Sequence, residues 1–214
     1  MVVPENLRLV TSEVARELAS TFDDQVVFPD RIVVDRPGDP NRRFPDWPTP
    51  VLLISIENQG VCAWGVPLSD PDPPVLVGGD LAAGVDDTTV AYARSVEDYV
   101  AARRWDHACL NRMPLIQAQA AELDARSLAM LRERYDEQPS TKGWPGAVQY
   151  RFERGGVRIL LWSSRDQCDW WISSARPDQL PEAVEQLMSL SDLRTSLWSS
   201  DGSGEALLDQ IRHK

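Results

Sequence analysis

Two short apolar runs separated by a polar turn constrain the fold of this 214-residue chain more than any other feature. The first run is Val51–Ile56, with the sequence VLLISI, and the second is 61–66, with the sequence VCAWGV. Apolar runs of this length that are bounded by turn-forming residues are typical of buried strands. Residues 57–60 between them include the Asn and Gly that tight turns favour. The pattern predicts a β-hairpin, and Trp64 in its second strand is expected to be buried and structural.

Other patterns along the chain predict further strands and helices. Short apolar or alternating stretches predict strands at 26–28, 75–77, 88–93, 148–152, 157–162 and 168–173. Capping residues and helical periodicity predict helices that begin at Ser12 and Ser95, helices within 114–136, one after Pro177 and a last one ending at Ile211. Proline and glycine content predicts loops at 36–50 and 138–146. Together these elements predict an α+β fold, with helices packed around a central, mainly antiparallel, twisted sheet.

The length of the chain favours one domain spanning 1–214, in which 1–112 forms the core and 113–214 adds helices and three strands. This follows because a three-stranded unit alone has little core of its own. The chain carries 33 acidic and 22 basic residues, which gives a formal net charge of −11. Such a charge disfavours binding to nucleic acids and favours basic protein partners, although acidity also serves solubility alone.

The cysteines and the termini bear on the cellular compartment. The three cysteines are far apart in sequence and form no CxxC pair, so a disulfide framework and a structural zinc site are not expected. The N-terminus lacks the pattern of a secretory signal, and no apolar stretch approaches the ~20 residues that span a bilayer. The sequence therefore predicts a cytoplasmic protein with reduced thiols and without a membrane segment.

The sequence lacks the common catalytic motifs that would identify an enzyme. The chain has no phosphate-binding GxxxxGK[ST] loop, no GxGxxG and no HExxH. His107 fits either a general base for Cys62 or Cys109, or an ordinary histidine on a helix surface. Asp70 and Asp72 form a DxD that fits either a divalent metal site or Asx turns beside prolines. We expect no enzymatic activity, metal or cofactor, while a hydrolase whose carboxylates meet only in space stays open as an alternative.

The hairpin is part of a longer string, in which 57–66 has the pattern E-N-Q-G-V-x-x-W-x-V and 72–77 has D-P-P-V-x-V. This string resembles the middle of the SUKH superfamily domain, which occurs in yeast cell-wall synthesis regulators and in many bacterial immunity proteins. The resemblance implies an α+β domain without enzymatic activity that binds other proteins. The matching residues, which are expected to serve the turn and the core, are Glu57, Asn58, Gln59, Gly60, Trp64, Pro73 and Pro74.

In bacteria, the resemblance implies that such a domain neutralises a toxin by binding it, and the acidic charge suits a basic nuclease toxin. Candidate contacts are acidic residues in predicted loops near the hairpin, namely Asp70, Asp72, Asp80, Asp86 and Asp87. These residues also fit ordinary solvated loop positions. The alternatives are a cytoplasmic regulatory adaptor without a toxin, and the carboxylate-dependent hydrolase.

Overall fold

A computed structural model describes residues 26–27, 33–57, 60–69, 72–79, 89–189 and 193–213. The helix predicted to begin at Ser12 and residue Phe28 lie outside these residues. The described part contains two antiparallel sheets together with helices, which confirms the predicted α+β class. The chain divides into two compact units, the first made of Met1–Arg104 and Lys142–Trp144, and the second of Trp105–Thr141 and Pro145–Lys214. That they form one domain stays a prediction.

The described residues of the first unit contain six short strands that pair antiparallel. They are β1 Val26–Val27, β2 Val34–Asp35, β3 Val51–Ile56, β4 Cys62–Pro67, β5 Val75–Gly79 and β6 Val90–Ala93. Their order is β1-β3-β4-β5-β6, and β2 also pairs with β3. β3 and β4 form the predicted hairpin, with Leu52 opposite Val66 and Ser55 opposite Trp64.

The turn of the hairpin explains two residues of the sequence motif. The backbone N–H of Gly60 donates to the carbonyl of Glu57 at 2.8 Å, and the N–H of Val61 donates to the Glu57 side chain at 3.3 Å. Gly60 has a φ of +75°, a conformation that costs glycine little and other residues more. Glu57 and Gly60 therefore shape the turn.

Both faces of the first sheet are buried, which explains why its strands are continuously apolar rather than alternating. On one face Trp64, which is 1% exposed, meets the ring of Tyr92 edge to face at 5.9 Å. The Tyr99 ring lies 6.4 Å from the Trp64 ring, and its hydroxyl is 2.9 Å from that of Ser55. On the other face Phe44 is fully buried against residues that include Val51. The prediction that Trp64 is a buried core residue is confirmed.

Residues 36–50 form the predicted loop, and a buried carboxylate anchors it. Asp35 accepts a hydrogen bond from the backbone N–H of Phe44 at 3.0 Å and lies 3.5 Å from the guanidinium of Arg42. Burial raises the pKa of Asp35 above the usual range of an aspartate, while the hydrogen bond and Arg42 oppose that shift. A Cβ atom at Gly78 would collide with the backbone carbonyl of Arg43, so the close approach of this loop requires glycine there.

The second unit contains a five-stranded sheet. Its strands are β7 Leu115–Ala120, β8 Asp136–Lys142, β9 Val148–Arg154, β10 Val157–Ser163 and β11 Cys168–Ser174, in the order β7-β11-β10-β9-β8. Two predictions are wrong in this region. Helices were expected across 114–136, but 115–120 is a strand because it pairs with β11 over its whole length. A loop was expected at 138–146, but most of that segment belongs to β8, which pairs with β9.

The helices largely follow the predictions. They are α1 Val96–Leu110, α2 Ala125–Arg134, α3 Leu180–Leu187, α4 Leu193–Ser196 and α5 Gly202–Arg212. The Ser95 hydroxyl accepts a hydrogen bond from the backbone N–H of Asp98 at 3.1 Å, as expected of the N-cap residue of α1. Residues 96–104 of α1 belong to the first unit and 105–110 to the second. No helix in the described ranges has both the length and the apolar character needed to cross a membrane.

One face of the second sheet, termed the inner face, packs against α2 to α5 in a single apolar cluster. Its members include Leu131, Phe152, Ile159, Leu161, Trp170, Ile172, Leu180 and Leu208. The alternation of the strands places their other side chains on the opposite, outer face. Trp170 is therefore an inner-face residue, while its neighbour Trp171 belongs to the outer face.

A buried ion pair joins the second part of α1 to the outer face. The guanidinium of Arg151, which is 1% exposed, donates two hydrogen bonds to the carboxylate of Asp106, at 2.7 and 2.8 Å. Arg151 also donates to the Thr141 hydroxyl at 3.2 Å and to the carbonyl of Pro139 at 3.3 Å. Thr141 in turn donates to the side chain of Gln149 at 2.7 Å. This network fixes residues of β8 and β9 relative to α1.

The edge of β7 that does not pair with β11 pairs instead with a segment far along the chain. The N–H and carbonyl of Gln117 exchange two hydrogen bonds of 2.9 Å with the backbone of Trp198. The N–H of Leu115 donates to the carboxylate of Asp201 at 3.1 Å, and its carbonyl accepts from the Ser199 hydroxyl at 2.9 Å. Asp201 also caps α5 by accepting from the N–H of Gly204 at 2.8 Å. One aspartate thus anchors both the edge strand and the last helix.

Candidate functional site

The structure describes only some of the residues that were predicted from the sequence to take part in binding. Asp72 is exposed, consistent with a loop position. Pro73 and Pro74 are partly buried and lead directly into β5. The remaining binding candidates lie outside the described residues, so their role stays a prediction; they are Asp70, Asp80, Asp86 and Asp87. The motif residues Asn58 and Gln59, which were expected to serve the turn, also lie outside the described residues.

The three thiols do not have the environment of catalytic nucleophiles. Cys62, Cys109 and Cys168 are all buried and free. Burial raises the pKa of Cys109 and of Cys168 to about 12, so neither thiol ionises near neutral pH. The Sγ of Cys109 accepts a hydrogen bond from the Ser173 hydroxyl at 3.6 Å, which suits a structural packing role.

Acidic residues form no metal site in the part of the chain that the structure describes. No group of three or more His, Cys, Asp or Glu side chains there could hold a metal ion. The Asp35 carboxyl, whose pKa is raised, is engaged by the backbone of Phe44 and by Arg42 within its loop. Its contacts are those of a residue that secures a loop.

The second unit carries two large hydrophobic side chains that are unusually exposed. Met113 is 54% exposed and Trp198 is 48% exposed. Met113 precedes β7 in the chain, and Trp198 pairs with Gln117 in the middle of β7. Large apolar side chains at the surface are informative when they lie near one another or near other aromatic residues.

Three tryptophans are associated with the outer face of the second sheet. Trp162 and Trp171 contact each other, with ring centroids 4.0 Å apart and planes tilted by 51°. Both are partly buried. Gln117 lies opposite Trp171 across β7 and β11, and opposite Trp198 on its other side. Because directly opposed residues in an antiparallel pair share a face, Trp198 projects on the same side as Trp171.

Polar groups accompany these rings. Asp169 lies opposite Trp162 on one neighbouring strand and opposite Gln119 on the other. Its carboxylate accepts from the amide of Gln119 at 3.1 Å and from the amide of Gln167 at 2.9 Å. We call the set of six side chains the tryptophan surface; it comprises Gln117, Gln119, Trp162, Asp169, Trp171 and Trp198.

The helical segment 105–110 packs on the outer face of the second sheet, and the thiol of Cys109 lies 3.9 Å from the backbone carbonyl of Trp171. The indole N–H of Trp105 donates to Glu153 at 3.1 Å, and the guanidinium of Arg158 lies 5.4 Å from the centre of the Trp105 ring. Arg158 also donates to Glu153 at 3.1 Å. These contacts, with the buried pair of Asp106 and Arg151, hold the sheet that carries the surface in a fixed shape.

Sequence reasoning did not single out the tryptophan surface, although part of the pattern was available. In β10, Ile159 and Leu161 alternate with Trp162, so Trp162 is predicted to face away from the apolar core once the strand is recognised. The adjacent Trp170 and Trp171 must likewise point to opposite faces. Trp198 had no such indication, because only the tertiary fold brings it beside Gln117.

Comparison of the chain with protein-family models, with curated proteins and with solved structures gave no match.

Proposed function

We propose that this chain is a protein-binding module that uses the tryptophan surface as its contact, with the exposed Met113 as a further contact residue. The observation that carries the proposal is the exposure of Trp198, which pairs with Gln117 of β7, and of Met113, which precedes β7 in the chain. Tryptophan and methionine are enriched in protein interfaces, and tryptophans contribute a large share of binding energy there.

The shape of the surface favours a protein over a flat ring-shaped ligand. The rings of Trp162 and Trp171 pack on each other with a 51° tilt, so they do not form one flat platform. Gln117 and Gln119 add amide groups that can donate and accept hydrogen bonds, as the polar part of a protein interface does. The buried network of Arg151 and Asp106 keeps the supporting sheet rigid, which lowers the entropy lost on binding.

The partner that we propose is a toxin, and the chain would be its cytoplasmic immunity protein in a bacterium. Two features of the sequence support this part of the proposal. The motif at 57–77 resembles the SUKH superfamily, and the net charge of −11 would accelerate the capture of a basic toxin. A regulatory adaptor of the same family without a toxin is the alternative, and a toxin gene beside this one would separate the two.

The test is a quantitative pull-down with the full chain as bait. Trp198→Ala and Met113→Ala change exposed side chains, so both variants should fold normally while losing a specific partner that the wild type retains. Gln186→Ala is the matched control, because Gln186 is an exposed residue of α3 in the same unit. Equal recovery of every bound protein by the wild type and by Trp198→Ala would contradict the proposed surface.

A further inference from the structure

We infer that Asp169 receives an arginine or lysine side chain of the protein partner, which packs against the rings of Trp162 and Trp171. This inference rests on the proposed protein-binding function and specifies the chemistry that the tryptophan surface recognises. It places the main electrostatic contact on the second sheet rather than on the acidic loops near the first hairpin.

The contacts of Asp169 leave its charge available. Among the residues that the structure describes, its carboxylate accepts hydrogen bonds from the neutral amides of Gln119 and Gln167. These amides orient the carboxylate without neutralising it. A carboxylate has about four lone-pair positions and can still accept a hydrogen bond from a bound cation. Asp169 is partly exposed, so a side chain from a partner can reach it.

The neighbouring rings add a second attraction for a cation. Trp162 lies directly opposite Asp169, and Trp171 is two residues along the same strand on the same face. A guanidinium or ammonium group within about 6 Å of a tryptophan ring is attracted by the ring face. An arginine is favoured over a lysine, because its planar group can stack on an indole while it donates to the carboxylate.

The charge of the chain agrees with such a partner. A net charge of −11 attracts basic surfaces over long distances, and Asp169 supplies a defined point of contact. An acidic or neutral partner would leave this carboxylate beside the aromatic rings without a counter-charge when the interface closes, which costs free energy. The surface therefore selects for positive charge.

The experiment uses the full chain and three blocked peptides, nona-arginine, nona-lysine and nona-glutamate, at physiological ionic strength. Calorimetry gives the affinities, and the indole N–H signals in nitrogen–proton spectra show which of the eight tryptophans respond. Single Trp→Phe variants assign the signals of Trp162 and Trp171. We expect nona-arginine to bind most tightly and to shift these two signals, and nona-glutamate to shift neither.

Asp169→Asn tests the carboxylate itself. The variant keeps an oxygen that can accept from Gln119 and Gln167, so its indole spectrum without peptide should match the wild type. Asp209→Asn is the matched control, because Asp209 is exposed on α5 and its replacement, like that of Asp169, makes the net charge of −11 one unit less negative. We expect Asp169→Asn to weaken nona-arginine binding about fivefold or more, and Asp209→Asn to weaken it less than about twofold.

Equal weakening by Asp169→Asn and Asp209→Asn would overturn the inference, since binding would then depend on total charge alone. Should Asp169→Asn misfold, the wild-type spectra decide: shifts confined to tryptophans other than Trp162 and Trp171 would also overturn it. The pull-down separates this inference from the proposed function. A partner lost with Trp198→Ala but kept with Asp169→Asn would support a protein interface that does not depend on a cation at Asp169.

Discussion

The buried pair of Arg151 and Asp106 allows a quantitative test of how the second unit is held together. Arg151→Met removes the guanidinium but keeps most of the apolar stem volume, so the cavity it leaves is small. Asp106, which is 5% exposed, would then be a buried carboxylate without its cation. Removing one member of a buried ion pair costs about 3–5 kcal/mol, because the remaining charge is uncompensated.

The magnitude agrees with the geometry of the pair. Asp106 loses two hydrogen bonds from a charged donor, at 2.7 and 2.8 Å, and each such bond contributes about 1.5–3 kcal/mol. Thr141 loses the donors that its hydroxyl accepts from. We therefore expect Arg151→Met to lower the free energy of unfolding by about 4 kcal/mol, a large part of the ~5–15 kcal/mol that typical proteins possess.

The double variant Arg151→Met with Asp106→Leu separates the charge from the packing. Leucine fills room that the shorter methionine leaves, and no unpaired charge remains, so the double variant should be more stable than Arg151→Met alone. The coupling free energy of the cycle should be at least about 2 kcal/mol. Urea unfolding followed by far-ultraviolet circular dichroism measures each value, and an unchanged dependence on urea concentration supports a like-for-like comparison.

Two results would refute this reasoning. The first is a decrease of less than about 1 kcal/mol in the free energy of unfolding for Arg151→Met. This would mean that Asp106 forms hydrogen bonds with water or another group when the arginine is absent. The second is a double variant whose cost equals the sum of the two single costs, since the two side chains would then act independently.

Three further predictions follow from other described residues. Trp64→Ala should lower the free energy of unfolding by ~3–5 kcal/mol and Trp64→Phe by clearly less, because the ring is buried among aromatic neighbours; an unchanged denaturation midpoint for Trp64→Ala would disprove the core role. Hydrogen bonds lower the pKa of Asp201 to about 2, so its ionised form contributes stability that is complete above its unfolded pKa of ~3.9 and is lost as pH falls toward 2. Asp201→Asn should be less stable than the wild type at pH 7 and should lose less stability on acidification. Thermal unfolding of both proteins, measured at pH 7 and again near pH 2, can show this. Cys109 and Cys168 should react with a thiol reagent at pH 8 only after unfolding, because burial raises the pKa of each to about 12; rapid labelling of the native chain would contradict this.

Most of the first sheet was predictable from the sequence because its signals are local, although the two-residue strand β2 was not predicted. The apolar runs at 51–56 and 61–66, with glycine in the turn between them, determine the hairpin and the burial of Trp64. The helix capped by Ser95 was predictable for the same reason, since its capping residue and its apolar face lie within one segment of the sequence. Burial on both faces of the sheet also explains why continuous apolar runs, rather than an alternation of apolar and polar residues, indicate its strands.

The errors in the second unit have a common physical origin. Residues 115–120, LIQAQA, are good helix formers individually, but pairing with β11 on one side and with Trp198 on the other makes them a strand. Ile116 and Ala118 face inward while Gln117 and Gln119 alternate with them, a period of two that competes with the helical preference. β8 has no apolar run at all, and its pairing with β9 depends on contacts made in the folded chain.

The pairing of Trp198 and Asp201 with β7 also bears on self-association through exposed strand edges. An open edge strand can template the addition of another chain, which leads to domain swapping or amyloid-like growth. Here the outward-facing groups of Leu115 and Gln117 are already occupied by a segment some eighty residues later in the chain. At the opposite edge, Pro139 lies in the middle of β8 and lacks the N–H that a further strand would need. Loss of the segment around Trp198 would uncover β7 and favour aggregation, because the segment that carries the exposed Trp198 occupies the edge at which another copy of the chain could add a strand.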